Sequence, residues 1–118
     1  MSKGTVVTFY SYKGGVGRTF ALANIGALLC RWGFRVLCID WDLEAPGLHV
    51  FFQKWSDSPD RSGLVELVQS FADGKEPKWE DHVTSVRLPN TSQPLYLMTA
   101  GSQDESYARR MQQIDWTK

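Results

Sequence analysis

The residues with the clearest chemical meaning lie in one stretch, Tyr12-Lys13-Gly14-Gly15-Val16-Gly17-Arg18-Thr19. Successive glycines let backbone N–H groups converge on a single anion, because no side chains stand in the way. A helix starting at the end of the stretch would add the positive end of its dipole at the same place. Lys13 and Arg18 flank the glycines with two cations, and the Thr19 hydroxyl can reach a Mg²⁺ bound to the same phosphates. Further along, Asp40 and Asp42 supply a pair of carboxylates one residue apart. The chemistry these residue types fit is the binding of a phosphate chain with its metal ion.

The elements around the stretch favour that chemistry over a glycine-rich turn without a ligand. Ahead of it, Thr5-Val6-Val7-Thr8-Phe9-Tyr10 is β-branched and aromatic, which predicts a buried strand. After it, residues 19–32 carry so few polar positions that they predict a helix covered on most sides, stopped by Gly33. Arg35-Val36-Leu37-Cys38-Ile39-Asp40 then predicts a second strand. Strand, glycine loop, helix and strand make one βαβ unit, so the expected sheet is parallel with a right-handed crossover. Asp40 falls at the carboxyl end of the second strand, the edge where open α/β sheets bind ligands.

Later segments are less regular. A short turn is expected near residues 48–52, within a loop-rich region holding Pro46, Gly47, Ser56, Ser58 and Pro59. Ser62 is the expected N-cap of a helix carrying Leu64, Val65, Leu67, Val68 and Phe71, with Gly74 as its stop. Residues 77–83 predict another turn of helix, residues 95–100 a third buried strand, and residues 105–114 a solvated amphipathic helix with Arg109 and Arg110.

Against the general pattern G-x-x-x-x-G-K-[ST], Tyr12 stands at the first Gly and Arg18 at the Lys. With the additional Lys13, the stretch resembles the deviant Walker A motif, KGGxxK[ST], of the MinD/ParA/ArsA-like ATPases, a family marked by its early lysine. The resemblance runs on to Asp40-Trp41-Asp42, which is similar to the D-x-D of that family's second acidic motif, and it covers residues 4–50 best. It implies an α/β fold: a three-layer P-loop NTPase-like parallel sheet with flanking helices. The family's Walker B strand and adenine-pocket strands have no counterpart after Ala100, so residues 1–118 are expected to be the incomplete, N-terminal portion of such a domain.

On that resemblance the amides of Gly14, Gly15, Val16, Gly17, Arg18 and Thr19 wrap the β-phosphate of ATP, with Phe20 near the α-phosphate side. Thr19 ligates Mg²⁺ and Asp40 holds it through water. Asp42 orients the attacking water, and Lys13 reaches the nucleotide of a partner copy across an ATP-dependent homodimer. Arg18 is the departure of consequence. Its guanidinium keeps the charge of the usual Lys but is wider and planar, so it cannot occupy the same place between phosphates unless the loop moves. The expected function is ATP binding, with slow Mg²⁺-dependent hydrolysis, in a dimerisation switch. The alternative is a non-catalytic nucleotide-sensing module at the head of a larger signalling protein.

Two rival families use similar residues. A dinucleotide site would need G-x-G-x-x-G/A, but starting at Gly15 the pattern ends in bulky Phe20, and starting at Gly14 it meets Val16. The run Asp40-Trp41-Asp42-Leu43-Glu44-Ala45-Pro46 resembles the D-x-D-x-R-x-P segment of bacterial tyrosine kinases, yet Glu44 stands at the Arg and no tyrosine cluster follows.

Composition narrows the classes further. The 118 residues carry 13 Lys+Arg against 13 Asp+Glu, so neither a nucleic-acid nor an anionic-membrane binder is indicated by charge. No apolar run is long enough for a membrane span and no secretory leader is evident, so the expected location is cytoplasmic. Cys30 and Cys38 make no C-x-x-C site and are expected to be buried, inert thiols. Trp41 alternates with the two acids and is expected to turn into packing.

Overall fold

The computed structural model describes residues 3–10, 17–43, 46–57, 62–102 and 107–114. Lys13, Gly14, Gly15 and Val16 lie outside them. The described elements run α1 (Arg18–Arg31), β1 (Leu37–Ile39), α2 (Leu48–Phe52), α3 (Leu64–Ala72), β2 (Thr84–Val86), β3 (Leu95–Met98) and α4 (Tyr107–Gln113), with single 3₁₀ turns at Gln53–Trp55 and Trp79–His82.

Helix α1 is Ala- and Leu-rich, and both ends follow from backbone chemistry. Gly17 enters it in the left-handed conformation, φ +80°, where a side chain would be strained. At the other end Gly33 is also left-handed. Its N–H donates to the Cys30 carbonyl and the Phe34 N–H to the Leu29 carbonyl, the paired bonds of a Schellman stop. Helix α3 ends in the same way at Gly74.

The three described strands lie in the order β1-β3-β2, with β1 parallel to β3 and β2 antiparallel to it. The register pairs Cys38 with Leu97 and Thr84 with Leu97, so these side chains share a face. That face meets α1 and α2 in the main core: Ala23, Cys30, Cys38, Leu48, Phe52, Val86, Leu88, Leu95 and Leu97. On the opposite face α3 covers only one end, where Leu64, Val83 and Met98 form a smaller cluster. Leu37, Ile39 and Tyr96 on that face remain exposed.

Four expectations are corrected. Residues 5–10 form no strand and are largely exposed, Val6 to 92%. A β-branched and aromatic run favours a strand but does not specify which edge it pairs with, and among the described residues β1 pairs with β3 alone. Helix α1 is not covered on most sides, because Phe20, Ile25, Leu28 and Trp32 remain exposed along it. The sheet is mixed, because Thr84–Val86 returns antiparallel beside β3. Finally, Gly63 and not Ser62 caps α3, since the Ser62 hydroxyl turns to the Asp81 carbonyl and His82 Nδ1. The short helix at 48–52, the third strand and the C-terminal helix fall where the pattern places them, each within a few residues. No helix among the described residues is long and apolar enough to cross a membrane.

Candidate functional site

The site forms where the first turn of α1 meets the carboxyl end of β1. Gly17 offers no side-chain cap to α1, and no acidic residue occupies its first turn. The helix N-terminus therefore presents its first amides and its dipole with no carboxylate of its own to neutralise them, a donor set that fits a phosphate. Helix α3 differs: the Leu64 and Val65 N–H groups donate to the Thr99 and Ala100 carbonyls at 2.8 and 2.9 Å. Its N-terminus is occupied by the backbone that follows β3.

Arg18, in that first turn of α1, donates from a guanidinium nitrogen to Asp42 Oδ2 at 3.0 Å. Residues 24 apart in sequence, the cation of the glycine motif and the second acid of the D-x-D, are thus in direct contact. Both are partly exposed, so the pair is accessible to a competing ion.

Asp40 has a different setting. It is only 6% exposed, and both carboxylate oxygens accept backbone N–H groups. Oδ1 takes Asp42 N–H at 3.1 Å, while Oδ2 takes Gly47 N–H at 3.2 Å and Leu48 N–H at 3.1 Å. The acid therefore organises the turn after β1 and caps the start of α2. Gly47 also faces the site from its other side, since a Cβ there would lie 4.0 Å from the Thr19 methyl. Thr19, Gly47 and Asp40 are consequently held together. Among the described residues no group of three or more His, Cys, Asp or Glu side chains could hold a metal ion. A Mg²⁺ here would take most of its oxygens from phosphate and water, with Thr19 as the hydroxyl ligand.

Phe20 points outward, 60% exposed, with its ring edge-on to Phe51 at a centroid distance of 6.0 Å. Trp41 does not turn into packing. It is 71% exposed, because the chain leaves the sheet at Asp40 and the strand alternation ends there. The two thiols are buried as expected. Burial, and secondarily the neighbouring Cys30, push the Cys38 thiol up to about 11, so it stays protonated and inert.

Other residues approach the site without any motif to announce them. The Tyr107 hydroxyl on α4 donates to the Leu43 carbonyl at 2.7 Å. Glu66 accepts Gly63 N–H at 2.7 Å and Ser102 N–H at 3.0 Å through Oε1, and its Oε2 lies 3.4 Å from Arg110 Nε. Arg110 also donates to the Ser102 carbonyl at 2.8 Å, so it belongs to a half-buried network and not to a solvated face. Spacing could not have found these contacts, which join residues as far apart as 43 and 107.

A family model described as the CobQ/CobB/MinD/ParA nucleotide binding domain matches residues 7–94. The chain belongs to this family of nucleotide-binding domains. Among curated proteins it is 32% identical over 90 residues to an uncharacterized ATP-binding protein of Methanocaldococcus jannaschii, covering 76% of this chain and 33% of that one. It is also 53% identical over 38 residues to the chloroplastic septum site-determining protein minD homolog of Arabidopsis thaliana, covering 32% of this chain and 12% of that one. The chain thus spans about a third or less of the length of these relatives. No solved structure matches it.

Proposed function

We propose that the chain binds Mg-ATP at the N-terminus of α1 and acts as a nucleotide-dependent switch with slow turnover. The observation that carries this reading is the Arg18–Asp42 contact, which brings the cation of the glycine motif and an acid of the D-x-D together beside uncapped helix amides. Family membership supports the nucleotide, and the archaeal relative, named as ATP-binding, supports adenine over guanine.

In this reading the amides of residues 14–19 cradle the phosphates, with Arg18 as the cationic side chain and Thr19 as the hydroxyl ligand to Mg²⁺. Asp40 positions the acidic turn and would reach a bound Mg²⁺ through water with the one acceptor position its three backbone N–H donors leave. Mg²⁺ supplies charge neutralisation of the phosphate oxygens. Asp42 is the residue that would orient a water molecule, and its engagement with Arg18 is the reason to expect slow hydrolysis. A carboxylate held in a charge-assisted bond is a poorer acceptor for a second donor.

The same contact favours, as a second reading, a sensor that binds ATP without turning it over. Calorimetric titration of Mg-ATP and measurement of phosphate release, on the wild-type chain and on Arg18→Lys, separate the two. Binding with faster release in Arg18→Lys supports the slow enzyme. Binding with no release in either supports the sensor, and absence of binding by the wild type overturns the assignment of the site.

A further inference from the structure

The turn that carries Asp42 is held from three directions. Asp40 grips it from below through Asp42 N–H, and the Leu43 N–H closes it on the Trp41 carbonyl at 3.0 Å. The third hold comes from far along the chain, where the Tyr107 hydroxyl on α4 donates to the Leu43 carbonyl at 2.7 Å. Leu43 follows Asp42 directly, so the bond to its carbonyl fixes the chain one residue beyond Asp42.

Helix α4 is itself anchored. Arg110, one turn beyond Tyr107, reaches both Glu66 Oε2 and the Ser102 carbonyl. Glu66 in turn binds the backbone at Gly63 and Ser102, which ties the start of α3 to the segment leaving β3. Gly101 permits this closeness: a Cβ there would lie 2.9 Å from the Tyr107 ring and 3.0 Å from Glu66 Oε2. Burial raises the Tyr107 phenol above its ordinary pKa, and the Asp40, Glu66 and Asp42 carboxylates raise it further against the opposing Arg110. The hydroxyl therefore remains a proton donor facing the acidic turn.

We propose that Tyr107 is a positioning residue for the acidic turn, and that α4, anchored by the Glu66–Arg110 pair, sets the placement of Asp42 at the nucleotide site. This rests on the reading of that site given above. It makes the segment after β3 a control element: whatever moves α4 moves the carboxylate that faces Arg18.

Removal of a single hydroxyl tests this with little risk to folding. In Tyr107→Phe, amide hydrogen exchange at Asp42, Gly47 and Leu48 is expected to quicken by roughly three- to tenfold, the effect of losing one net hydrogen bond. Exchange within α1 and β3 stays unchanged. Mg-ATP affinity is expected to fall by a similar factor while affinity for Mg²⁺-free ATP holds, a split that a general loss of stability would not produce. Glu66→Gln, which weakens the anchor and leaves Tyr107 in place, is expected to show the same split in smaller measure. Unchanged exchange in the turn, or equal weakening with and without Mg²⁺, would overturn the proposal. If the wild-type chain binds no nucleotide while exchange responds as expected, the nucleotide reading fails and the tether stands.

Discussion

Asp40 shows how one side chain can serve structure before chemistry. Its two oxygens satisfy three backbone N–H groups in a site 6% exposed. Asn would keep one acceptor and turn an NH₂ group toward donors, leaving them unpaired. Asp40→Asn is therefore expected to lower stability by about 1–3 kcal/mol, read as a shift in urea midpoint. The Arg18–Asp42 pair lies nearer the surface and contributes at most about 1 kcal/mol to folding. Asp42→Asn is accordingly expected to leave the urea midpoint nearly unchanged and, in the proposed function with slow turnover, to abolish phosphate release. Equal losses of stability in the two Asn variants would contradict this division of roles.

At the level of elements, two close approaches hold the site in place. Helix α1 crosses β1 at Gly26, where a Cβ would lie 2.8 Å from Cys38 Sγ. Gly26→Ala gains about 1 kcal/mol of helix propensity but forces the helix from the sheet, a cost of about 1–3 kcal/mol. It is expected to destabilise the wild type and to become neutral or stabilising in a Cys38→Ala background, a coupling that a double-mutant cycle measures. Helix α3 meets the end of β3 at Gly63, where a Cβ would fall on the Thr99 carbonyl. Cys38 also gives the sheet a pH dependence. Its thiol lies at 9.0 unperturbed and about 11 in the fold, so the unfolded chain loses its proton first as pH rises. Stability is fully present below pH 9 and declines from there through 11, by up to about 2–3 kcal/mol. Urea midpoints between pH 8 and 10.5 should show the decline, and Cys38→Ala should remove much of it.

For the molecule as a whole, the described sheet leaves Leu37, Ile39 and Tyr96 exposed on one face and Phe20, Ile25, Leu28 and Trp32 exposed along α1. The chain spans a third or less of the relatives it matches, so activity at the scale of the whole protein is a matter of proposal. In the proposed switch, Lys13 reaches a partner copy's nucleotide. Light scattering after gel filtration is then expected to show a doubled mass with Mg-ATP for the wild type and a single mass for Lys13→Ala. A mass independent of nucleotide in both would remove dimerisation from the proposed function.

How much was legible in advance divides along a physical line. Local preferences act over a few residues, so the glycines at 17, 33 and 74 marked helix ends, and the apolar runs at 37–39 and 95–98 marked strands. The KGGVGRT stretch and the D-x-D likewise identified the family and the ligand class, because phosphate recognition is carried by backbone amides and charges at short, regular spacing. Pairing is not local. Nothing in residues 5–10 states which edge would accept them, and the short run at 84–86 became a strand only because β3 offered a partner. Tertiary structure alone decided that Arg18 meets Asp42, that Asp40 is spent on Gly47 and Leu48, and that Tyr107 holds Leu43. Each of these joins groups that only the packing of helices on the sheet brings within hydrogen-bonding distance.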